Sequence, residues 1–418
     1  MAPGGAIEQA AKTPFRDVFA VAEFRALWTA QLLSVIGDQL ARVALTVLVY
    51  DRTRSALLAA ITFVVSIVPT FIGGLTLAWL ADRHPRRRVM ITCDIARCAL
   101  VLIMALPGLP LTALVALLFV VTLAGAPFTA ARAAIYPDVL TGDRYVMGTA
   151  VTLTTYQFAQ VLGFAAGGTV VGFFGTRASL VLDAATFAAS AIIVGGWVRP
   201  RAVPTTASED RDPSRLAGIV AGARLVFARP ALRWPLLFGL LATFYTAPEG
   251  VAAPLAHDLG GGAAAVGVIL AADALGQSTG AVILSRFVAP PTRLRVVGPL
   301  AVASCGVLAL FFLQPGLAVC LLILVASGLC ASYQVAANAA FVNATPPEQR
   351  SQAFGLAQGA LSLGQGTVMI MAGAAAQHHA PARVIALFGA VGAVVALAVA
   401  VGSARDRGGP ADGRHQRG

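Results

Sequence analysis

The chain has 418 residues, of which 58% are hydrophobic and only 12% charged. Soluble domains run at about 45–50% and about 25%, so a soluble globular fold is excluded, and apolar runs of about 20 residues match the hydrocarbon core of a bilayer. The net charge of +11 does not indicate a nucleic-acid partner, because the arginines sit at the ends of the apolar runs, where cytoplasmic loops collect them.

Residues 1–25 carry Glu8, Lys12, Arg16, Asp17 and Arg25 without the apolar core of a signal peptide, and read as a cytoplasmic N-terminal segment. Six spans follow, at 26–50, 57–80, 89–106, 111–135, 151–174 and 180–198, making a first half at 26–198. The polar stretch 199–233, with Pro200, Pro204, Glu209, Asp210 and seven arginines, reads as a cytoplasmic linker. Six more spans, at 234–256, 263–287, 296–313, 317–340, 353–376 and 382–403, make a second half at 234–403. The Gly-, Arg- and Asp-rich stretch 404–418 reads as a disordered cytoplasmic tail. The predicted fold class is therefore an all-α membrane protein of twelve transmembrane helices in two six-helix halves, the layout of transporters built from repeats.

Alternate loops collect the positive charge. Arg83, Arg86, Arg87 and Arg88 follow the second span, Arg132 and Arg144 flank the loop after the fourth, and Arg286, Arg293 and Arg295 follow the eighth. The opposite loops hold Arg52, Arg54, Arg177 and Arg383. This alternation puts both termini in the cytoplasm of a multi-pass protein of the cell membrane.

Enzymatic signals are poor. The five cysteines lie in apolar runs and read as packing residues. His84, His257, His378, His379 and His415 have no metal-ligand spacing, and there is no phosphate-binding G-x-x-x-x-G-K-[ST] loop. No cofactor, metal or catalytic residue is expected, and energy must come from an ion or solute gradient.

The string Ala78-Trp79-Leu80-Ala81-Asp82-Arg83-His84-Pro85-Arg86-Arg87-Arg88 joins the second and third spans. It resembles the signature loop of the major facilitator superfamily, G-x-L-A-D-R-x-G-R-R, with Ala78 and Pro85 where that pattern prefers glycine. The resemblance implies that Asp82, Arg83, Arg86 and Arg87 form a conformational latch on the cytoplasmic side. Looser strings resemble the exporter branch that holds siderophore and macrolide efflux proteins: Leu33-Ser34-Val35-Ile36-Gly37-Asp38-Gln39 with Tyr50-Asp51-Arg52-Thr53, Ala134-Ile135-Tyr136-Pro137-Asp138, Leu182-Asp183-Ala184-Ala185-Thr186-Phe187 and Pro346-Pro347-Glu348-Gln349-Arg350. In the fifth span Gly163, Gly167 and Gly168 match the antiporter motif G-P-x-x-G-G, while Phe164 replaces its proline. Four-residue glycine spacing also allows close helix packing, and both readings stay open here.

A charge at mid-bilayer costs about 2.5–3.5 kcal/mol on insertion scales, so it pairs or lines a cavity. Asp38 and Arg42 are four apart in the first span and read either as a fixed ion pair or as a proton site. Asp94 and Arg97, three apart in the third, read as a fixed pair. Asp183 lies early in the sixth. Glu249 and Asp273 have no local partner and, with Asp38 and Arg42, are the proton-coupling candidates; Glu249 also reads as a solvated residue at the outer mouth. Uncharged groups that the resemblance points toward a central substrate cavity are Gln31, Tyr156, Gln157, Gln160, Gln277, Tyr333, Gln334 and Asn338.

The expected function is a secondary active transporter, a proton-coupled exporter of a small amphipathic drug, macrolide or siderophore. The alternatives are an importer or uniporter, and a non-transporting scaffold or sensor. Expected partners are membrane lipid, a small-molecule substrate and protons, with a monomer implied by the resemblance.

Overall fold

In the computed structural model the described residues are 15–77, 79–201, 224, 226–346 and 349–408. Most of the expected linker and tail, with Lys12, Ala78, Pro347 and Glu348, lies outside them. Eight helices are long and apolar enough to cross a membrane, and a bent pair makes nine. We label α1 (Ala22–Thr53), α2 (Ala56–Thr76) and α4 (Leu111–Val139) in the first half. Between α2 and α4 lies α3 (Arg86–Met104), less apolar because it opens on three arginines and carries Asp94 and Arg97. A short turn of helix, Leu80–Arg83, holds part of the signature loop.

Asp143–Trp197 reads as a single helix interrupted only at Gly175, whose φ of 79° and ψ of 172° leave the helical region. The chain folds back there, because Val151 and Val194 share one apolar cluster with Val18 and Phe24. A positive φ at no steric cost is what glycine supplies. We call the two limbs α5 (143–174) and α6 (176–197). The sequence reading placed a loop of several residues there; the helices instead reach to within one residue of each other.

In the second half, α7 is the pair Pro230–Gly250 and Ala252–Asp258, bent by 44°. Pro248 and Pro254 flank the bend at Val251, and a proline inside a helix removes a donor and clashes with the preceding turn. α8 (Ala263–Phe287), α9 (Pro291–Leu313) and α10 (Leu317–Ala344) follow, then α11 (Arg350–Ala375) and α12 (Pro381–Gly408). Ala263–Phe287 ends where the sequence reading ended it. With α5 and α6 counted apart, twelve helices are labelled among the described residues, consistent with the expected count, though α3 and α11 are not among those long and apolar enough to cross a membrane.

Three expected single spans are broken. α2 divides into Ala56–Val65 and Val68–Thr76 just before Pro69. Its start is capped by Ser55, whose hydroxyl accepts the Leu58 N–H at 3.2 Å, the arrangement that satisfies an orphan donor at a helix N-terminus. α7 breaks as described, and α10 breaks at Ser332.

The buried apolar residues show how the halves meet. At one end of the bundle a single cluster crosses between them, joining Val43, Val47, Phe63, Phe164 and Val171 to Val251, Leu255, Val266 and Met369. At the other end each half has its own cluster: Phe24, Met90, Ile135 and Val194 in the first, Leu232, Leu236 and Phe341 in the second. The bundle is sealed across the halves at the end carrying Tyr50 and His257.

Candidate functional site

Polar groups at the sealed end complete the closure. Arg54 on the first half lies 3.0 Å from Nε2 of His257, Tyr50 packs edge-on against the same ring, and Gln377 donates to the Ser55 hydroxyl at 2.5 Å. Beneath them α5 meets α8 glycine to glycine. A methyl added at Gly168 would lie 2.7 Å from the Ala263 carbonyl oxygen and from the Gly267 α-carbon, so neither position has room for a side chain. Gly163 and Gly167 of the same motif face α1, against Gln39 and Leu40. Phe164, where the antiporter pattern has proline, is buried in the cross-half cluster.

Below this seal the first half encloses a cavity of about 390 Å³, lined by α1, α2, α3, α4, α5 and α6. Its charged wall comprises Asp38, Arg42, Arg97, Arg132 and Asp183, with Gln31, Gln39, Thr129 and Tyr156 among the uncharged groups. Arg97 is the hub. Its guanidinium donates to Asp38 at 2.5 Å and to the Ser34 hydroxyl at 3.2 Å, and lies 4.0 Å over the Phe187 ring. Arg97 is buried, whereas Asp38 is 36% exposed to the cavity.

These partners correct the pairing expected from sequence neighbours. Asp38 is held by Arg97 of α3 rather than by Arg42 one turn on. Arg42 donates instead to the Ser66 carbonyl oxygen at 3.1 Å and sits over Phe63 and Phe164. That carbonyl is available because the α2 break sends the Thr70 N–H to Ile67. Asp94 likewise has no hydrogen bond to Arg97; one oxygen accepts the Ser190 hydroxyl at 2.6 Å and the other has no partner. Spacing along one helix shows which groups share a face, not which helix that face meets.

In the second half Asp273 is buried and accepts from Gln277 at 2.6 Å. Glu249 is half-buried and interacts electrostatically with Asp273 and, across the halves, with Arg42. It therefore lies in the interior of the seam and not among solvated groups at a mouth. The expected polar candidates divide. Gln31 and Tyr156 line the cavity. Gln39, which the sequence reading passed over as a ligand, bonds Gln160, and Gln160 bonds Gln157, in a chain along α1 and α5. Gln277 is committed to Asp273. Tyr333 and Gln334 tie α10 to α7 through the carbonyls of Phe238 and Gly239, and Asn338 is exposed. Of the second-half candidates, Tyr333 and Gln334 brace α10 against α7, and the cavity is lined by the first half. Thr129 and Arg132, also missed, stand one turn apart on α4; Arg132 had been read only as a loop-flanking charge.

At the unsealed end Arg86 bonds the Ala134 carbonyl at 2.7 Å and Asp138 at 3.0 Å. Arg87 donates to the carbonyls of Val194 and Gly195, and Arg83 stacks on Trp79. All of these contacts stay within the first half. Arg201, at the start of the linker, forms a two-pronged ion pair with Glu23, which keeps its guanidinium pKa above the usual arginine value.

The Major Facilitator Superfamily profile matches residues 27–248 and 249–417. The Enterobactin exporter EntS of Shigella boydii serotype 4 (strain Sb227) is 26% identical over 263 residues, 62% of each chain. The same protein of Escherichia coli O1:K1 / APEC is 27% identical over the same extent. The match therefore spans less than two thirds of these relatives. Among solved structures, a bacterial homolog of the human lysosomal transporter Spinster, in an inward-facing and occupied conformation, superposes with a TM-score of 0.70 at 16% identity, over 94% of this chain and 97% of that one. A POT family transporter in complex with 5-aminolevulinic acid gives 0.71 at 13% identity, over 91% and 96%.

Proposed function

The chain belongs to the Major Facilitator Superfamily, and from that membership we propose that it is a proton-coupled exporter of a small amphipathic molecule of the siderophore, macrolide or drug class. It is a multi-pass membrane transporter and not an enzyme. The observation that carries the proposal is a polar, charged cavity lying under a seal formed at one end of the bundle only. Alternating access needs a polar site that is open to one side at a time as two halves rock, and here that site is lined by the first half.

On this reading the arginine-rich end, both termini and the linker are cytoplasmic, and the protein is captured open to the cytoplasm as a monomer. The latch residues Asp82, Arg83, Arg86 and Arg87 engage the second half only when that end closes. Export, and a siderophore among the substrate classes, is supported by the relatives named as enterobactin exporters. Coupling to protons is supported by carboxylates set in the membrane interior at Asp38, Glu249 and Asp273, since groups placed there at such cost mark ion pathways.

The test is uptake of enterobactin, erythromycin and ethidium into energised inside-out vesicles. Uptake of at least one, collapsed by a protonophore and reduced in Asp38→Asn and Asp273→Asn, supports the proposal. Flux in the opposite direction favours the importer reading, which Phe164 in the antiporter motif supports. Flux indifferent to both substitutions overturns the assignment of the coupling residues.

A further inference from the structure

We propose that Asp183 is a proton-binding carboxyl of the first half, exchanging with Asp38 for the single guanidinium of Arg97. The inference rests on the proton-coupled reading and adds to it a residue outside the coupling set derived above.

Asp183 is 1% exposed, and neither carboxylate oxygen has a hydrogen-bond partner. The Thr186 hydroxyl donates to the Asp183 main-chain carbonyl oxygen at 2.7 Å and lies beside the carboxyl as the polar neighbour on α6 that interacts with it. Yet the carboxyl is not walled off: it lines the same cavity as Asp38 and Arg97. Its Oδ1 and the Thr186 hydroxyl lie against Gly37, the residue before Asp38, in space that any side chain at that position would fill. The glycine is what lets α6 bring a carboxyl up against this turn of α1.

The charges facing Asp183 are few. Asp38 comes from α1 and Arg97 from α3, and both interact with it electrostatically. Asp94 and Cys98 of α3 lie in the same field, Ser190 of α6 is occupied by Asp94, and Arg132 of α4 lines the cavity. Among the described residues, the ion pair Arg97 makes is with Asp38. Arg42 of α1 lines the cavity too and interacts with Asp38, but Asp38, Asp94 and Asp183 all lie in the field of Arg97, whose guanidinium already has a partner. A buried carboxylate without a partner is neutralised rather than left ionised, and a proton is the ligand that does so without needing a coordination shell.

Exchange follows from the exposures. Asp38 reaches the cavity and can take a proton from its water. As the Asp38 carboxylate becomes the acid, its charge-assisted bond to Arg97 is lost. Arg97 then pairs with Asp183, whose O–H bond breaks and whose proton leaves to the cavity. One proton is gained and one released, and the guanidinium stays charged throughout.

The test uses the full-length chain in lipid vesicles, with no transported solute, followed by infrared difference spectroscopy as the bath is stepped from alkaline to mildly acidic. A C=O stretch of a protonated carboxyl is expected in the wild type at neutral pH. A component of that band should be lost in Asp183→Asn and kept at a shifted frequency in Asp183→Glu, and the same component should persist in Asp273→Asn, which removes only its own contribution, with melting temperatures confirming that each variant is folded. A wild-type difference spectrum from which Asp183→Asn removes no component overturns the proposal, as does the absence of any such band from folded wild-type protein. So does a band suppressed by sodium chloride but not by choline chloride, which would make the pocket a metal-cation site. Failure of the proton-coupled reading appears separately, as vesicle flux indifferent to a pH gradient while the band persists.

Discussion

Arg97 holds Asp38 and Ser34 from α1 while stacking on Phe187 of α6, so one side chain ties three helices together. Replacing it with leucine would leave the Asp38 carboxylate without its cation. Removing one partner of a fully buried pair costs about 3–5 kcal/mol, and the cavity exposure of Asp38 puts the expected loss at or below the lower figure. Arg97→Leu should therefore lower the melting temperature in detergent, and Asp38→Leu in the same chain should recover part of it, because the double variant has no stranded charge. A loss in the double variant equal to the sum of the losses in Arg97→Leu and Asp38→Leu would show that the pair contributes no coupling. The sequence identified all four of Asp38, Asp94, Arg97 and Asp183 as intramembrane charges, since charge within an apolar run is visible in one dimension. It set Asp38 beside Arg42 and Asp94 beside Arg97, neighbours four and three residues away, and left Asp183 without a partner, because it holds no record of which helix lies opposite. The short bonds from Arg97 to α1 and from Asp94 to Ser190 are facts of packing.

The glycines of α5 divide their work between two neighbours. Gly163 and Gly167 admit α1, and Gly168 admits α8 of the other half against Gly267. All three positions are places of close packing, within a half at the first two and across the seam between halves at the third. Gly168→Val would meet the backbone of α8, which cannot rotate away as a side chain would. Overpacking costs about 1–3 kcal/mol, and here it falls on the sealed arrangement alone. We expect Gly168→Val to shift the population away from that arrangement, read as a longer and broader distance between spin labels at Asp51→Cys and Asp258→Cys, while Gly163→Val lowers stability without that shift. An unchanged distance in Gly168→Val would mean that the seam yields without opening. Element existence was legible from apolar run length, and α8 was legible to its ends. The breaks were not read from the sequence, although in α2 and α7 a proline at the break supplies the cause. The break at Ser332 in α10 has no such residue, and the one-residue turn at Gly175 depends on how α5 and α6 pack beside one another.

At the scale of the molecule, one apolar cluster spans both halves at the Tyr50–His257 end and two separate clusters occupy the other. An alternating-access cycle requires that this seal open and that the separate clusters approach. Gly172 of α5 and Ala264 of α8 lie where the seal can be tied covalently: a β-carbon at Gly172 would stand 4.0 Å from that of Ala264, within the about 3.5–4.5 Å that a disulfide spans. The five native cysteines are free and would be replaced first. In that background Gly172→Cys with Ala264→Cys should form a disulfide under mild oxidation, abolish turnover in vesicles and regain it on reduction by dithiothreitol, while either single variant stays active. Binding of the cavity's ligand from the arginine-rich side should survive oxidation, because locking the far end leaves that entrance as it is. If the oxidised protein still turns over, the seal between α5 and α8 does not open during transport, and the path would have to leave the cavity without parting the two halves at this end.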